Sequence, residues 1–293
     1  MKRFAKVMTA MALTAACTVG AGVSALAEEF DASVDISVLS REDGSGTRGA
    51  FIELFGIEQA DEDGNKVDMT TEEAAITNST SVMMTSVAND VYAIGYISLG
   101  SLNDTVKAVK IDGTAPSAEA VADGSYAVSR PFNIVTTGEE LSEVGQDFVN
   151  FIMSADGQAV ITENGYIAVT EGEAFTSDNP EGKLVVGGSS SVTPVMEKLA
   201  EAYEAVNPNA DIEIQMTDSS TGVSSALEGT YDIGMASRAL KDTEIEEGAV
   251  GTTIANDGIA VVVNNENPIE ELTSEQVLGI YTGEIYTWEE LGE

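Results

Sequence analysis

The chain contains no histidine and a single cysteine, Cys17. Without histidine there is no Ser-His-Asp or Cys-His catalysis, no imidazole metal site and no ordinary general base. No S-x-x-K stands at a convincing helix start, so Ser-Lys chemistry finds no support either. One cysteine near the amino terminus excludes a disulfide framework, and its loss would leave no thiol nucleophile. Positive charge is also scarce, with 13 Lys and Arg against 50 Asp and Glu, for a formal charge of −37. Such a field repels nucleic acid and anionic lipid headgroups. The 43% of hydrophobic residues, spread in recurrent short runs, argues for a packed protein rather than an acidic disordered one.

What basic charge exists is unevenly placed. Lys2, Arg3 and Lys6 precede a short apolar stretch and small residues, the pattern of a secretory signal over 1–27. Two processing readings stand open: cleavage after Ala25-Leu26-Ala27, or lipidation of Cys17 at the end of LTAAC. Either would place the protein outside the cytoplasmic membrane, the second with a lipid anchor.

Beyond residue 30, strand-like and helix-like segments alternate, which predicts an α/β protein with largely buried sheets. Strands are expected at 34–40, 93–99, 106–113, 131–137, 183–188, 211–217, 231–237 and 258–268. Helices are expected at 49–56, 80–90, 145–166 with a break at Asp156-Gly157, 193–208 up to Pro208, 221–229, and 272–283 behind a Thr-Ser and Gln cap. The polar stretch 170–182 reads as a linker.

Three stretches share one design, in which a strand ends in small hydroxyl and glycine residues and a helix begins. They are REDGSGTRGAF at 41–51, GGSSSVTPVMEKL at 187–199 and TDSSTGVSSAL at 217–227. The first N–H groups of a helix lack partners and the macrodipole is positive there, so small residues let an anion reach them. Any one of these is also an ordinary N-cap. Three at matched joints, one beside an arginine, point to a site for a tetrahedral oxyanion.

These stretches, with DIGMASRALKDTE, GIAVVVNNENP, AIGYISL, VSRPFNIVT and the segment ending GYIAV, resemble the phosphate-binding protein of the phosphate ABC transporter over nearly the whole chain past the leader. The resemblance implies a two-lobed type II periplasmic-binding fold with mixed sheets flanked by helices. It also implies a non-enzymatic, monomeric protein that takes inorganic phosphate between its lobes and delivers it to a membrane permease, with no cofactor, metal or nucleic acid. A binding protein for another tetrahedral oxyanion, a phosphate sensor and a secreted hydrolase are the alternatives. The resemblance further implies a circularly permuted order, because the family opens at the strand matching KLVVGG and here the GSGT half comes first. The expected division is 28–131 in one lobe, 132–262 in the other, and 263–293 returning to the first.

Residue by residue, the resemblance implies hydroxyl and N–H donors from Ser190, Ser191 and Ser219, a clamp from Arg41, and a cap from Ser45, Gly46 and Thr47. Asp43 would orient the arginine or accept a ligand proton. Many members carry an aspartate in the stretch matching MASRAL, where it selects protonated phosphate against sulfate; here Ser237-Arg238 stand instead. Arg238 then either contacts the anion or pairs with a nearby carboxylate at the surface. DEDGNKVDMTTE at 61–72 has acidic EF-hand spacing but Lys66 where a glycine is needed, so it is expected to be an acidic hairpin turn. Trp288 is expected to pack rather than to stack on a ligand.

Overall fold

A computed structural model describes residues 30–61 and 65–292. The leader, Cys17 and Ala27 lie outside the described residues.

Strand β1 (Ser37–Arg41) runs through the GSGT turn into α1 (Gly46–Leu54). A hairpin of β2 (Glu58–Ala60) and β3 (Lys66–Asp68) follows. Asp61 closes its turn by accepting from the backbone N–H and side-chain amide of Asn65, at 2.8 and 3.0 Å. The short β4 (Ala75–Thr77) leads to α2 (Thr80–Ala88), and β5 (Ala93–Ser98) follows. The single strand expected at 106–113 is two, β6 (Lys107–Ala108) and β7 (Lys110–Ile111), which pair with different partners. Asp112 and Gly113 turn the chain with φ of 49° and 82°, which a glycine accepts without strain. Helix α3 (Ala118–Ala122) precedes β8 (Ser129–Thr137).

The helical segment after β8 divides into α4 (Glu143–Ile152) and α5 (Ala155–Glu163). The break lies at Met153-Ser154, not at Asp156-Gly157, because the Ser154 hydroxyl caps the second helix by accepting from Gly157 N at 3.2 Å. Strand β9 (Ile167–Ala168) ends this part, and the polar stretch after it has no regular structure up to β10 (Gly182–Ser189). That stretch is docked: Phe175 stacks edge-on against Phe151, and Ser177 donates to Asp147. Then come α6 (Thr193–Val206), β11 (Ala210–Thr217), α7 (Ser219–Leu227), β12 (Ile233–Ala236), α8 (Asp242–Glu246), β13 (Ala249–Val263), β14 (Glu271–Leu272) and α9 (Ser274–Thr282). The capping box expected for α9 is present, with Thr273 accepting from Gln276 N, and Gly283 ends the helix in the left-handed region.

The main sheet has the order β11-β10-β12-β8-β13-β5-β1-β4, and β13 is its pivot. Residues 249–258 of β13 pair antiparallel with β8, and residues 259–263 pair antiparallel with β5. Along the second half, side chains alternate between faces. Ile259, Val261 and Val263 join a cluster with Phe51, Tyr96, Tyr281 and Trp288, whereas Ala260 and Val262 pack with Met83 and Ile97. The first half serves a separate core, in which Ile254 and Ala255 pack with Phe132, Phe148, Leu199 and Tyr203. Each half of the sheet is therefore covered by helices on both faces, forming a lobe, and β8 and β13 cross between the lobes. Each fully buried large apolar side chain contributes roughly 1.5–3 kcal/mol before entropy is counted. Among the described residues no helix is long and apolar enough to cross a membrane.

Candidate functional site

Four helices, not three, begin at the junction of the lobes. Ser45 caps α1 by accepting from Arg48 N, and Ser79 caps α2 by accepting from Val82 N. Asp218 caps α7 by accepting from Thr221 N, whereas α6 has no side-chain cap and starts with Pro194 in its first turn. Proline costs nothing there, since its missing N–H would have had no helical partner.

The hydroxyls at these starts meet. Thr47 and Ser191 lie 2.7 Å apart, and Thr80 lies 3.2 Å from the same Ser191. Ser189 donates to Ser237 at 2.9 Å, and Ser219 accepts from Ser237 N at 3.0 Å. Gly46 presses on this group: a Cβ there would meet Ser219 Oγ and stand 2.7 Å from Ser237 Oγ, so only glycine lets the lobes approach this closely. The backbone joins across the gap as well, with Ser220 N donating to Gly44 O at 3.2 Å. Ser45, Thr47, Ser190, Ser191, Ser219 and Ser237 are all buried.

Arg41 reaches the cluster from β1. It is 1% exposed and donates from Nη2 to Ser190 Oγ at 3.0 Å. Glu42 holds it in a two-point grip, accepting from Nε and Nη2 at 2.8 Å each, while Nη1 is buried without a partner. Behind it, the Tyr96 hydroxyl accepts from Arg41 N at 3.1 Å and stands 2.9 Å from Ser40 Oγ. Burial pushes the Tyr96 phenol up to about 12, so it stays neutral and keeps this dual role. A surface cleft of about 320 Å³ opens beside the same joints, with Glu42, Ser79 and Asp218 on its walls.

Of the residues expected from the sequence, Arg41, Ser45, Gly46, Thr47, Ser190, Ser191 and Ser219 come together. Asp43 does not. Its side chain is 99% exposed and pairs with Arg48 at 3.2 Å, and Glu42 orients Arg41 in its place. Arg238 also stands outside the hydroxyl cluster, bound to Glu244 at 2.6 and 2.8 Å and to Ser220 Oγ at 3.3 Å. Burial raises the Glu244 carboxyl, but the bonds from Arg238 and Lys241 N outweigh it and leave the group below its ordinary value. Trp288 packs in the core of its lobe and donates to Tyr92 O at 3.3 Å.

No ligand role was expected for Thr80, Ser189, Arg130 or Asp257, and Ser237 entered only as a departure from the family's aspartate. Thr80 follows β4 in the same strand-to-helix pattern, but Asn78-Ser79-Thr80 carries no glycine to draw notice. Ser189 ends β10 one position before Ser190, and Ser237 directly follows β12. Nothing local marks Arg130, whose partner Asp257 lies 127 positions away.

Known proteins share this architecture. The PBP superfamily domain matches residues 24–156 and 170–293. The phosphate-binding protein PstS 2 of Streptococcus agalactiae serotype V is 54% identical over 258 residues, 88% of each chain. The chain belongs to the PstS family of phosphate-binding proteins. The family is one of solute-binding proteins rather than enzymes. Another member, PstS 2 of Streptococcus pneumoniae serotype 4, is 46% identical over 294 residues and aligns across 99% of both chains. A crystal structure of the phosphate-binding protein of a phosphate ABC transporter from Streptococcus pneumoniae TIGR4 superposes with a TM-score of 0.69 at 46% identity. It covers 88% of this chain and 99% of that one.

Proposed function

We propose that the protein is an extracytoplasmic receptor that captures inorganic phosphate between its lobes and hands it to a membrane ABC importer. The observation that carries this reading is the convergence of four helix starts and the buried Arg41 on one group of hydroxyls drawn from both lobes. An anion entering here exchanges the contacts that these groups make with one another for contacts with its own oxygens. Backbone N–H groups, hydroxyls and one guanidinium supply many donors with little net charge, which suits a dehydrated oxyanion inside a strongly negative protein. The ligand donors are Ser190, Ser191 and Ser219 from one lobe and Arg41, Ser45, Gly46 and Thr47 from the other. Capture closes the lobes about β8 and β13, and the permease favours the open form. The lobe boundary in β13 falls near Asp257, where its partner changes from β8 to β5. The leader delivers the chain across the cytoplasmic membrane, with Cys17 as the site of an anchor if it is retained.

The chain order is a circular permutation relative to members that open at the strand matching β10. Support comes from the described ends, which lie side by side: Ile36 N donates to Tyr286 O at 2.7 Å and Glu289 N to Ala32 O at 2.9 Å. The pneumococcal relative, aligned end to end, has the same order as this chain.

Calorimetric titration with phosphate, sulfate, arsenate and molybdate tests the ligand. Phosphate and its analogue arsenate should bind, and no heat with any phosphate concentration would end the proposal. A second reading, a receptor for another tetrahedral oxyanion, is favoured by one observation. Each carboxylate around the site already takes protein donors: Glu42 binds Arg41, Asp257 binds Arg130 and Asp218 accepts from Thr221, so a ligand proton must share its acceptor with them. Sulfate binding as tightly as phosphate would select that reading.

A further inference from the structure

A second arginine reaches the hydroxyl cluster from the strand pair that links the lobes. Arg130 in β8 stands directly opposite Asp257 in β13, and both are buried. Its Nη2 lies 3.2 Å from Asp257 Oδ2, while Asp257 Oδ1 accepts from Gly100 N at 3.3 Å. Its Nη1 donates to Ser237 Oγ at 3.3 Å. Burial works against the ionised form of Arg130, the Asp257 charge supports it, and the Arg41 charge opposes it, so the two guanidinium groups feel each other.

The bookkeeping at Ser237 is restrictive. A serine hydroxyl has one proton to give and two lone pairs to fill. Ser189 Oγ fills one of them at 2.9 Å and Arg130 fills the other. The Ser237 proton is left to point toward Ser219 Oγ, 3.4 Å away, or toward whatever displaces that long contact.

Resting on the phosphate reading above, we propose that Arg130 is a positioning residue for the bound anion, acting through Ser237. By occupying the second lone pair it obliges the Ser237 hydroxyl to donate to the ligand, and Asp257 fixes it at the crossing between lobes. Ser237 is then a ligand donor in its own right, at the position next to Arg238.

The test is calorimetry with inorganic phosphate on four proteins: wild type, Ser237→Ala, the paired variant Arg130→Gln with Asp257→Asn, and all three changes together. The paired variant removes both charges at once and so avoids stranding one in the core. Melting temperatures are measured alongside. Ser237→Ala and the paired variant are each expected to weaken phosphate at least tenfold, and the triple variant to bind no more weakly than Ser237→Ala. Losses that multiply in the triple variant would overturn the coupling, as would a paired variant that binds like wild type. If the paired variant fails to fold, Ser237→Ala decides alone, and phosphate affinity within twofold of wild type sinks the proposal. A wild type that binds no phosphate fails earlier, at the receptor reading itself.

Discussion

Thr47 and Ser191 are 144 positions apart in the chain, yet their hydroxyl oxygens lie 2.7 Å from each other. One stands in the first turn of α1 and the other just before α6, so the contact joins the two lobes at the floor of the proposed site. Thr80, at the start of α2, lies 3.2 Å from the same Ser191. Three helix starts are thereby tied to one oxygen, and the energetic weight of the site should fall on the residues that surround it.

Arg41→Ala should weaken phosphate by about 2 kcal/mol, roughly thirtyfold, since it removes a charge-assisted donor from a dry site. Arg41→Lys should recover little, because the two-point grip of Glu42 suits a planar guanidinium and not a point charge. Isothermal titration measures both.

Gly46→Ala should cost about tenfold or more in phosphate affinity, from the roughly 1–3 kcal/mol of forced overpacking against Ser219 and Ser237. The added methyl group matters wherever the lobes meet, as they do in this structure, so small-angle scattering with phosphate should show a more open particle than wild type. Unchanged affinity would contradict the close approach.

Asp43→Asn should leave phosphate affinity within about twofold, as an exposed pair with Arg48 is worth roughly 0–1 kcal/mol. Glu42→Gln should weaken binding clearly more than Asp43→Asn. Arg238→Ala should act on stability rather than binding, losing about 2 kcal/mol through its contacts with Glu244. Equilibrium urea unfolding separates this from an effect on phosphate titration.

Acid should destabilise the fold through Glu244 and Asp68, both held below their ordinary values of 4.5 and 3.8. In each, burial raises the carboxyl but hydrogen bonds, including those from Arg238 and Arg48, outweigh it. Because the folded-state values are depressed, the stabilisation is complete above the ordinary values and lost as pH falls through the lower folded ones. Glu244→Gln should flatten that acid limb, which urea midpoints measured from pH 5 down to pH 2 would reveal.

Much of the site could be read from residues alone because its parts are local. Ser45, Thr273 and Gly283 act on their own neighbours, and the strand-to-helix joints at 41–47 and 187–193 announce themselves in small polar residues. What escaped notice depends on distant partners. The first half of β13, AVGTTIAND, mixes glycine, threonine, asparagine and aspartate, and becomes a strand because β8 offers it a full antiparallel edge. The resemblance made Asp43 the residue to orient Arg41, but the turn sends its side chain to solvent and leaves Glu42 to bind the guanidinium. Arg130 and Asp257 are unremarkable in sequence and significant only through the register that sets them face to face.

The pivot strand has a bearing on how the polypeptide matures. β8 waits for one edge of residues 249–258 and β5 for residues 259–263, so both halves of the main sheet stay unfinished until this late stretch is available. A nascent chain lacking it can complete neither core. On the secretory route proposed above, both cores would stay incomplete until residues 249–263 have emerged, because the two halves of the sheet close on the same late segment.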